Sequence, residues 1–340
     1  MTAELAETLA APLRTVSLSR DRRTATVGHR TVRAESAAEL ERELSIALYE
    51  TFHAGREAPV GPAPLALHDA ELQRALRGGV PHSHVHRVVP LSPATEQPGK
   101  SGSAPPTDSV LVTLMGVRVR VPSADVTVDR AAGTARVAVP SRRPTLSPGF
   151  FSALGTREPD RAKPLLRVYT HLRDAQSAVP VWAAVLRRLE NGDASYQAKV
   201  LAVPSEYPRR DALVVYLGEG SWHACHDIAD TTRGMPGIVP DTSAFARRLA
   251  PGVSVAWEPD DTRPGMRGLS FGQHRAAVLA RCLAEAGAGA EPTDPVRVAA
   301  ALRAAGVDPA APYRNTGSVD VPGPAQVDAA AVAGSTQGRW

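Results

Sequence analysis

The segment LLRVYTHLRDAQSAVPVWAAVLRRLENGDASYQAKVLAVPSEYPRRDALVVYL, residues 165–217, decides the fold. It contains three short runs rich in β-branched and aromatic residues, and such runs are typical of β-strands. A helical pattern separates the first two runs. The arrangement predicts a sheet packed against a helix, with strands at Leu165–Leu172, Tyr196–Val203 and Ala212–Leu217.

The helix between the first two strands is predicted over about residues 180–189, and Asn191-Gly192 is a typical place for it to end. Strand, helix and strand are expected to form one β-α-β unit. The apolar residues that recur at helical spacing are Val181, Trp182, Val185 and Leu189.

The first 109 residues predict helices followed by a linker. Residues 36–53 have an amphipathic pattern that begins with a capping box formed by Ser36 and Glu39. A second helix is predicted over Leu65–Leu76, before two glycines. From Pro81 to Ser109 the composition shifts to Pro, Ser, Gly and His without an apolar period, which predicts a linker and a domain boundary.

The remaining patterns complete an α+β fold with a mixed, largely antiparallel sheet, flanking helices and a smaller N-terminal helical and β region. The further predicted elements are an antiparallel meander over Val110–Val121 and Asp125–Val139, a strand at Ser254–Trp257 and a helix at Ser270–Ala286. The predicted units are residues 1–105, an N-terminal helical region with a Pro- and Ser-rich linker for peptide or partner recognition, residues 106–320, the α+β domain, and residues 321–340, a loose tail.

Composition is that of an ordinary globular protein. Of the 340 residues, 43% are hydrophobic and 22% are charged. No segment approaches the roughly 18 uninterrupted apolar residues that span a bilayer, and Glu4 and Glu7 occupy positions where an export signal carries basic residues. We therefore expect a cytoplasmic protein that does not enter a membrane. Cys225 and Cys282 are too few for a disulfide framework and are expected to be reduced.

Charge and motifs disfavour several function classes. The 39 basic and 35 acidic residues are interspersed, and aromatic residues make up 4%, so no nucleic-acid partner is expected. The phosphate-loop, GxGxxG, HExxH and GxSxG signatures are absent. His82, His84 and His86 form an H-x-H-x-H run, but the loop expected around it, without a nearby carboxylate, predicts no metal site. No cofactor is expected.

The candidate site lies between Tyr169 and Arg275. Tyr169 and His171 are two apart on one strand and share a face. Lys199 lies in an otherwise apolar strand, where a charge is costly unless it reaches a cleft, an acidic partner or a sheet edge. The other candidates are Arg209 and Arg210 at a strand start, Tyr216 near the far end of that strand, and His274 and Arg275 near the start of the last helix.

These residues supply a base, an acid and an anion clamp, which is what β-elimination of phosphate from a phosphorylated residue requires. Lys199 would accept the Cα proton, and His171 as imidazolium would protonate the departing phosphate. Since the C–O bond is cut, the reaction needs neither magnesium nor a nucleophilic side chain. The phosphate ligands would be Arg209, Arg210 and Arg275, and the groups that position the peptide or stabilise the enolate would be Tyr216, Tyr169 and His274.

The chain resembles the Hop-type family of type III secretion effectors and the related stand-alone lyase subunits of lanthipeptide and thioamitide biosynthesis. The segments that carry the resemblance are RVYTHLR, YQAKVL, YPRRDALVVYL and LAPGVSVAWEPDDTRPGMRGLSFGQHRAAVLARCLAEA, with a weaker match at PYRNTGSVD. They cover Leu165 to Asp320. The order His, Lys, Arg, Tyr, Arg is also remotely similar to that of phosphothreonine lyases, although Thr170 stands where those enzymes have a basic residue before the His.

The resemblance implies a lyase that converts phosphoserine or phosphothreonine of a ribosomally made precursor peptide to dehydroalanine or dehydrobutyrine. It also implies a separate Ser/Thr peptide kinase and a cyclase as partners. Under it, Lys199 is the base, His171 the acid and Tyr216 an assisting group. The alternative is a non-catalytic peptide- or protein-binding module of the effector branch, in which the basic residues form a docking surface.

Overall fold

In the computed structural model, seven α-helices and fifteen strands form within the described residues, which are 5–56, 69–92, 108–114, 117–286 and 291–323. The helices are α1 Glu7–Leu13, α2 Ala37–Leu48, α3 Ala70–Gly78, α4 Ala175–Asn191, α5 Ala224–Thr232, α6 Phe271–Ala284 and α7 Pro295–Ala304. The strands are β1 Val16–Leu18, β2 Thr24–Val27, β3 Arg30–Arg33, β4 His84–Pro90, β5 Ser109–Leu114, β6 Val117–Pro122, β7 Val126–Asp129, β8 Thr134–Pro140, β9 Arg142–Ser147, β10 Phe150–Leu154, β11 Leu166–Leu172, β12 Tyr196–Leu201, β13 Arg209–Leu217, β14 Arg247–Ala250 and β15 Val253–Trp257.

A seven-stranded sheet forms the centre of the fold, in the order β14-β15-β11-β13-β12-β10-β9. Every neighbouring pair in it is antiparallel, and the predicted α+β class is confirmed. Because β11 and β12 are both antiparallel to β13, they are parallel to each other. The predicted β-α-β unit therefore forms, but β13 lies between its two strands.

One face of this sheet packs against α4 and α5. Helix α4 begins five residues before the predicted start because Asp174 caps it, accepting a hydrogen bond from the Ser177 N–H at 2.7 Å. Pro180 lies inside the helix, where it costs one backbone hydrogen bond. Trp182 and Val185 are fully buried against the sheet, as the predicted apolar face requires. The sequence did not predict α5.

The opposite face of the sheet packs against α2 and α6. Ser36 caps α2, accepting a hydrogen bond from the Glu39 N–H at 3.2 Å, and the predicted helix over residues 36–53 is confirmed. Its last turn, Tyr49–Ala54, is π-helical. This turn places Tyr49 and His53 against β13, so the N-terminal region contributes to the packing of the central sheet.

Three smaller sheets have the orders β1-β2-β3, β4-β8-β7 and β5-β6. The predicted meander forms as the hairpins β5-β6 and β7-β8. Strand β4 lies inside the stretch Pro81–Ser109 that was expected to be a linker, so that expectation is wrong there. Its residues alternate strictly, with Val85, Arg87 and Val89 buried, and the interspersed His and Arg residues concealed the alternation. Because β4 pairs with β8, strands on either side of residue 105 share one sheet.

Other sequence predictions concern the chain's ends and its cysteines. Helix α3 lies where a helix over Leu65–Leu76 is expected, although residues 65–68 lie outside the described part, as do residues 324–340 of the predicted tail. Both cysteines are buried free thiols. No helix in the described segments is long and apolar enough to cross a bilayer.

Candidate active site

Residues of the central sheet, of strands β4, β5 and β8 and of the segment between β10 and β11 line a cleft of about 600 Å³, here called the basic cleft. Five cationic side chains and two carboxylates face it, together with hydroxyl and amide groups. The cations exceed the carboxylates, which suits an anionic ligand. The charged residues are Arg87, Arg143, Arg161, Arg167, Lys199, Glu158 and Glu258, and the uncharged polar residues are Ser147, Ser152, Gln197 and Tyr216.

Lys199 projects from β12 into the basic cleft. Its ammonium nitrogen lies 4.5 Å from the centroid of the Phe150 ring and 6.0 Å from that of the Tyr216 ring. Within the described segments it forms no hydrogen bond and no ion pair with a carboxylate. The charge in this apolar strand is therefore accommodated by the cleft and by aromatic rings.

A row of three polar side chains runs across neighbouring strands at the base of the cleft. Ser152 on β10 lies directly opposite Lys199 on β12 and, on its other side, opposite Arg143 on β9. Directly opposite residues share a face of the sheet, and two strand spacings separate Arg143 from Lys199 by about 9.5 Å in the backbone. The register thus brings a guanidinium and an ammonium within reach of one small ligand.

The remaining charges of the cleft are mostly paired. Arg167 binds Glu258 through two hydrogen bonds, with 2.6 Å between Nη2 and Oε1, and its guanidinium carbon lies 5.0 Å from the centroid of the Tyr216 ring. Arg87 pairs with Glu158 at 2.8 Å. By contrast, Arg143 has no hydrogen-bond or ion-pair partner among the described residues, so its guanidinium is open to a ligand.

His171 is not among the residues that line the basic cleft. It lies two residues beyond Tyr169 on β11, its side chain is buried, and its Nδ1 is 3.1 Å from the carbonyl oxygen of Asp241. Burial lowers its pKa below the ordinary value. His171 therefore lies outside the cleft that Lys199 lines, and its burial disfavours the imidazolium form that the predicted acid requires.

Arg209 and Arg210 point to partners inside the protein. The Arg209 guanidinium forms two hydrogen bonds with Asp211, at 2.8 and 2.9 Å, and one with the Tyr49 hydroxyl at 2.8 Å. Arg210 donates a hydrogen bond to the carbonyl oxygen of Thr51 at 3.2 Å. Neither arginine lines the basic cleft, and both tie β13 to the turn that follows α2.

Three further candidates lie in the core rather than at the cleft. Arg275 is 0% exposed, and it binds the Pro312 carbonyl oxygen at 2.8 Å and the Asn315 side chain at 3.1 Å. Burial lowers its pKa to about 9. His274 and Tyr169 are 1% and 2% exposed. These side chains hold α6 against β11 and against the segment after α7, and their burial leaves no room for a peptide beside them.

A buried network, consisting of Tyr49, His53, Arg209, Asp211 and Ser243, joins the N-terminal region to the central sheet. The Tyr49 hydroxyl donates to Asp211 at 2.9 Å, and His53 Nδ1 lies 2.9 Å from the Ser243 hydroxyl. Burial raises the pKa of Asp211, but attraction to Arg209 and the hydrogen bonds from Arg209 and Tyr49 outweigh it and hold the pKa well below its ordinary value. Burial lowers the pKa of His53 to about 4.

Sequence reasoning missed several residues of the basic cleft. Arg167 had a usable signal, since it precedes Tyr169 by two and shares its strand face. Arg143 and Ser152 had none, because they lie in a Pro- and Gly-rich stretch whose strands are not evident from periodicity. Although His84 and His86 prove to lie on a strand, no group of three or more potential metal ligands occurs in the described part of the chain.

The architecture defines an α+β protein whose central antiparallel sheet carries a cationic cleft. A model of the HopA1 effector protein family matches residues 141–314, slightly more than half of the 340 residues. The chain belongs to the HopA1 effector protein family. The resemblance to Hop-type effectors is thereby confirmed, and the resemblance to lyase subunits remains a prediction.

The solved structures that are similar to this chain include two effector proteins. The effector protein from Pseudomonas syringae pv. tomato strain DC3000 has a TM-score of 0.43 and 13% identity, covering 82% of this chain and 95% of its own. The effector protein from Pseudomonas syringae pv. syringae strain 61 has a TM-score of 0.44 and 15% identity, with coverages of 82% and 92%. None of the curated proteins compared with the chain matches it.

Proposed function

We propose that this protein binds a phosphorylated peptide in the basic cleft and eliminates phosphate from its phosphoserine or phosphothreonine. The position of Lys199 is the observation that carries the proposal. Lys199 faces the cleft without a carboxylate partner in the described segments, and the guanidinium of Arg143, two strands away, is open to a ligand. A base next to an anion site is the minimum that β-elimination of phosphate needs.

In the proposed reaction, the Lys199 ammonium first gives a proton to solvent, and the resulting amine accepts the Cα proton of the phosphorylated residue. The electron pair forms the Cα–Cβ double bond, the Cβ–O bond breaks, and phosphate leaves with that oxygen and its electron pair. Tyr216, which lines the same cleft, gives a proton to the leaving phosphate. Arg143 and Arg161 hold the phosphate oxygens by charge-assisted hydrogen bonds. The product is dehydroalanine or dehydrobutyrine.

These roles differ from the ones inferred from the sequence alone. Lys199 keeps the role of base, and Tyr216 takes the acid role in place of His171, which lies outside the cleft. Arg143 and Arg161 replace the three arginines whose guanidiniums are bound inside the protein. A separate peptide kinase must supply the phosphorylated precursor peptide. Two buried free thiols are in keeping with a reducing compartment such as the cytoplasm.

The second candidate is a phosphopeptide-binding module without catalysis. It is favoured because no histidine is among the described residues that line the basic cleft, and because Arg167 and Arg87 are already paired with carboxylates. Under it, the same peptide binds through its phosphate and remains intact. The two candidates therefore differ in the fate of the peptide and not in its binding.

The deciding experiment incubates phosphoserine and phosphothreonine peptides with the purified protein, without metal, and follows the peptide mass. Loss of phosphoric acid from the peptide, abolished in Lys199→Met but retained in Lys163→Met, would support elimination with Lys199 as the base. Lys163 is a matched control because its side chain is 54% exposed and lies outside the cleft.

An unchanged mass together with phosphate-dependent binding would favour the binding module. The same peptides are then tested with the partner kinase present. Elimination that appears only under this condition would restore the lyase proposal, and elimination that persists in Lys199→Met would overturn the assignment of the base.

A further inference from the structure

The basic cleft also has an aliphatic rim, which the proposed chemistry does not use. Val88 and Leu146 line the cleft and are 72% and 42% exposed. Val88 lies on the outward face of β4, on which His84 and His86 are its neighbours. Single exposed aliphatic residues are common, but two on the wall of one concave, cationic site indicate a surface for an apolar group.

Leu146 reaches the cleft because β9 is irregular. Ser147 lies opposite Phe150 and Arg143 lies opposite Ser152, so four residue steps on β9 match two on β10. Bulges of this kind redirect side chains. Leu146 thereby lines the same cleft as Arg143, and three residues of extended chain separate the two by at most about 10 Å.

We propose that Val88 and Leu146 bind an aliphatic side chain located two or three residues from the phosphorylated residue of the peptide. This inference rests on the proposed function, because it takes the phosphopeptide as the occupant. The occupant must present an anion to Arg143 and an apolar group within about 10 Å of it, a distance spanned by three extended residues. A phosphopeptide with an aliphatic residue two or three positions from its phosphorylated residue meets both conditions, whereas free phosphate carries no apolar group.

The test compares phosphoserine peptides that carry Leu or Asn two and three residues before and after the phosphoserine. Dissociation constants are measured on Lys199→Met, so that the peptide is not consumed, and kcat/KM on the wild type. We expect about tenfold tighter binding of a Leu peptide than of its Asn counterpart, the scale of discrimination for an apolar side chain in a pocket.

Val88→Thr and Leu146→Gln should each remove most of this preference and leave the affinity for the Asn peptides unchanged. Both side chains are exposed, so the fold should tolerate the substitutions. Val296→Thr is the matched control, since Val296 is 66% exposed on α7 and lies outside the cleft. It should keep the full preference for the Leu peptides.

The outcomes separate this inference from the proposed function. Equal affinity for the Leu and Asn peptides, with phosphate-dependent binding intact, would overturn the aliphatic site alone. A clear Leu preference without loss of phosphoric acid from the wild-type reaction would support the aliphatic site and count against elimination. Absence of phosphate-dependent binding would overturn both.

Discussion

The ammonium nitrogen of Lys199 lies 4.5 Å from the centroid of the Phe150 ring. The same ring lies 5.9 Å from the guanidinium carbon of Arg209, so Phe150 is close both to a cation of the basic cleft and to a cation of the buried network. Arg209 is neutralised by Asp211, whereas Lys199 is not paired with a carboxylate in the described segments. Of the two cations near this ring, the one proposed to react is therefore the one without a carboxylate partner in the described segments.

Arg143 is expected to hold the phosphate. Arg143→Gln removes the charge and two or more possible hydrogen bonds to phosphate, so the affinity for a phosphopeptide should fall by at least about tenfold, since a hydrogen bond to a charged group contributes about 1.5–3 kcal/mol. Affinity for the unphosphorylated peptide should stay the same. Titration calorimetry with both peptides measures this. Arg233→Gln is the control, because this side chain is 72% exposed and does not line the cleft. An equal loss of affinity there would contradict a specific role for Arg143.

Asp211 is expected to stabilise the fold at neutral pH. Asp211→Asn breaks the buried pair with Arg209, and the free energy of unfolding near neutral pH should fall by about 3 kcal/mol. Because the folded-state pKa of Asp211 lies well below its unfolded-state value, the contribution is present above about pH 4 and is lost as the pH falls further.

Urea denaturation near pH 7 and near pH 3 measures this effect. The difference between wild type and Asp211→Asn should shrink on acidification. Asp230→Asn, at a side chain 68% exposed, should cost little at either pH. A difference between wild type and Asp211→Asn that grows in acid would contradict the assigned direction of the pKa.

His53 is expected to make the protein less stable in mild acid. Its pKa is lowered from 6.5 to about 4 in the fold, so between these values the unfolded chain binds the proton more readily. The free energy of unfolding should therefore decrease as the pH falls from about 6.5 to about 4. His53→Gln should reduce this pH dependence of stability. Part of the pH dependence that remains should come from His274, whose pKa is also lowered to about 4.

Chemical denaturation is measured at several pH values between 6.5, the ordinary pKa of histidine, and about 4, the pKa of His53 in the fold. The result is the slope of the free energy of unfolding against pH. The slope, rather than the stability at one pH, is the informative quantity because any substitution at a buried site changes stability. His29→Gln at an exposed position is the control. A slope that is unchanged in His53→Gln would rule out His53 as its source.

Gly272 is expected to tolerate no side chain. A Cβ atom at this position would lie 2.2 Å from Cδ2 of His53, so Gly272→Ala should push α6 away from the turn after α2 and cost about 1–3 kcal/mol, the range for overpacking. Thermal unfolding measures the effect. Gly78→Ala in α3 is the matched control, because no neighbouring atom of the described residues lies within 4 Å of its Cβ position and alanine favours a helix. Equal melting temperatures for the two variants would contradict the close approach.

Strands β11, β12 and β13 of the central sheet and helix α2 were predictable because their signals are local. The apolar runs at β11, β12 and β13 and the capping box before α2 lie within short windows of sequence. Strand β4 was missed because histidines and an arginine obscured its alternation, and α5 because its pattern is short. Propensity and periodicity are local signals, so they do not identify a segment whose structure is determined by pairing with distant parts of the chain.

The sequence by itself determined the α+β class, most strands of the central sheet and the importance of Lys199, since a lysine in an apolar strand requires an explanation wherever that strand packs. Only the tertiary structure decided which cations share the cleft. The register of β9, β10 and β12 places Arg143 and Ser152 beside Lys199, while the core encloses Arg275 and His274. Strand register depends on contacts between residues far apart in the chain, and no local pattern encodes it.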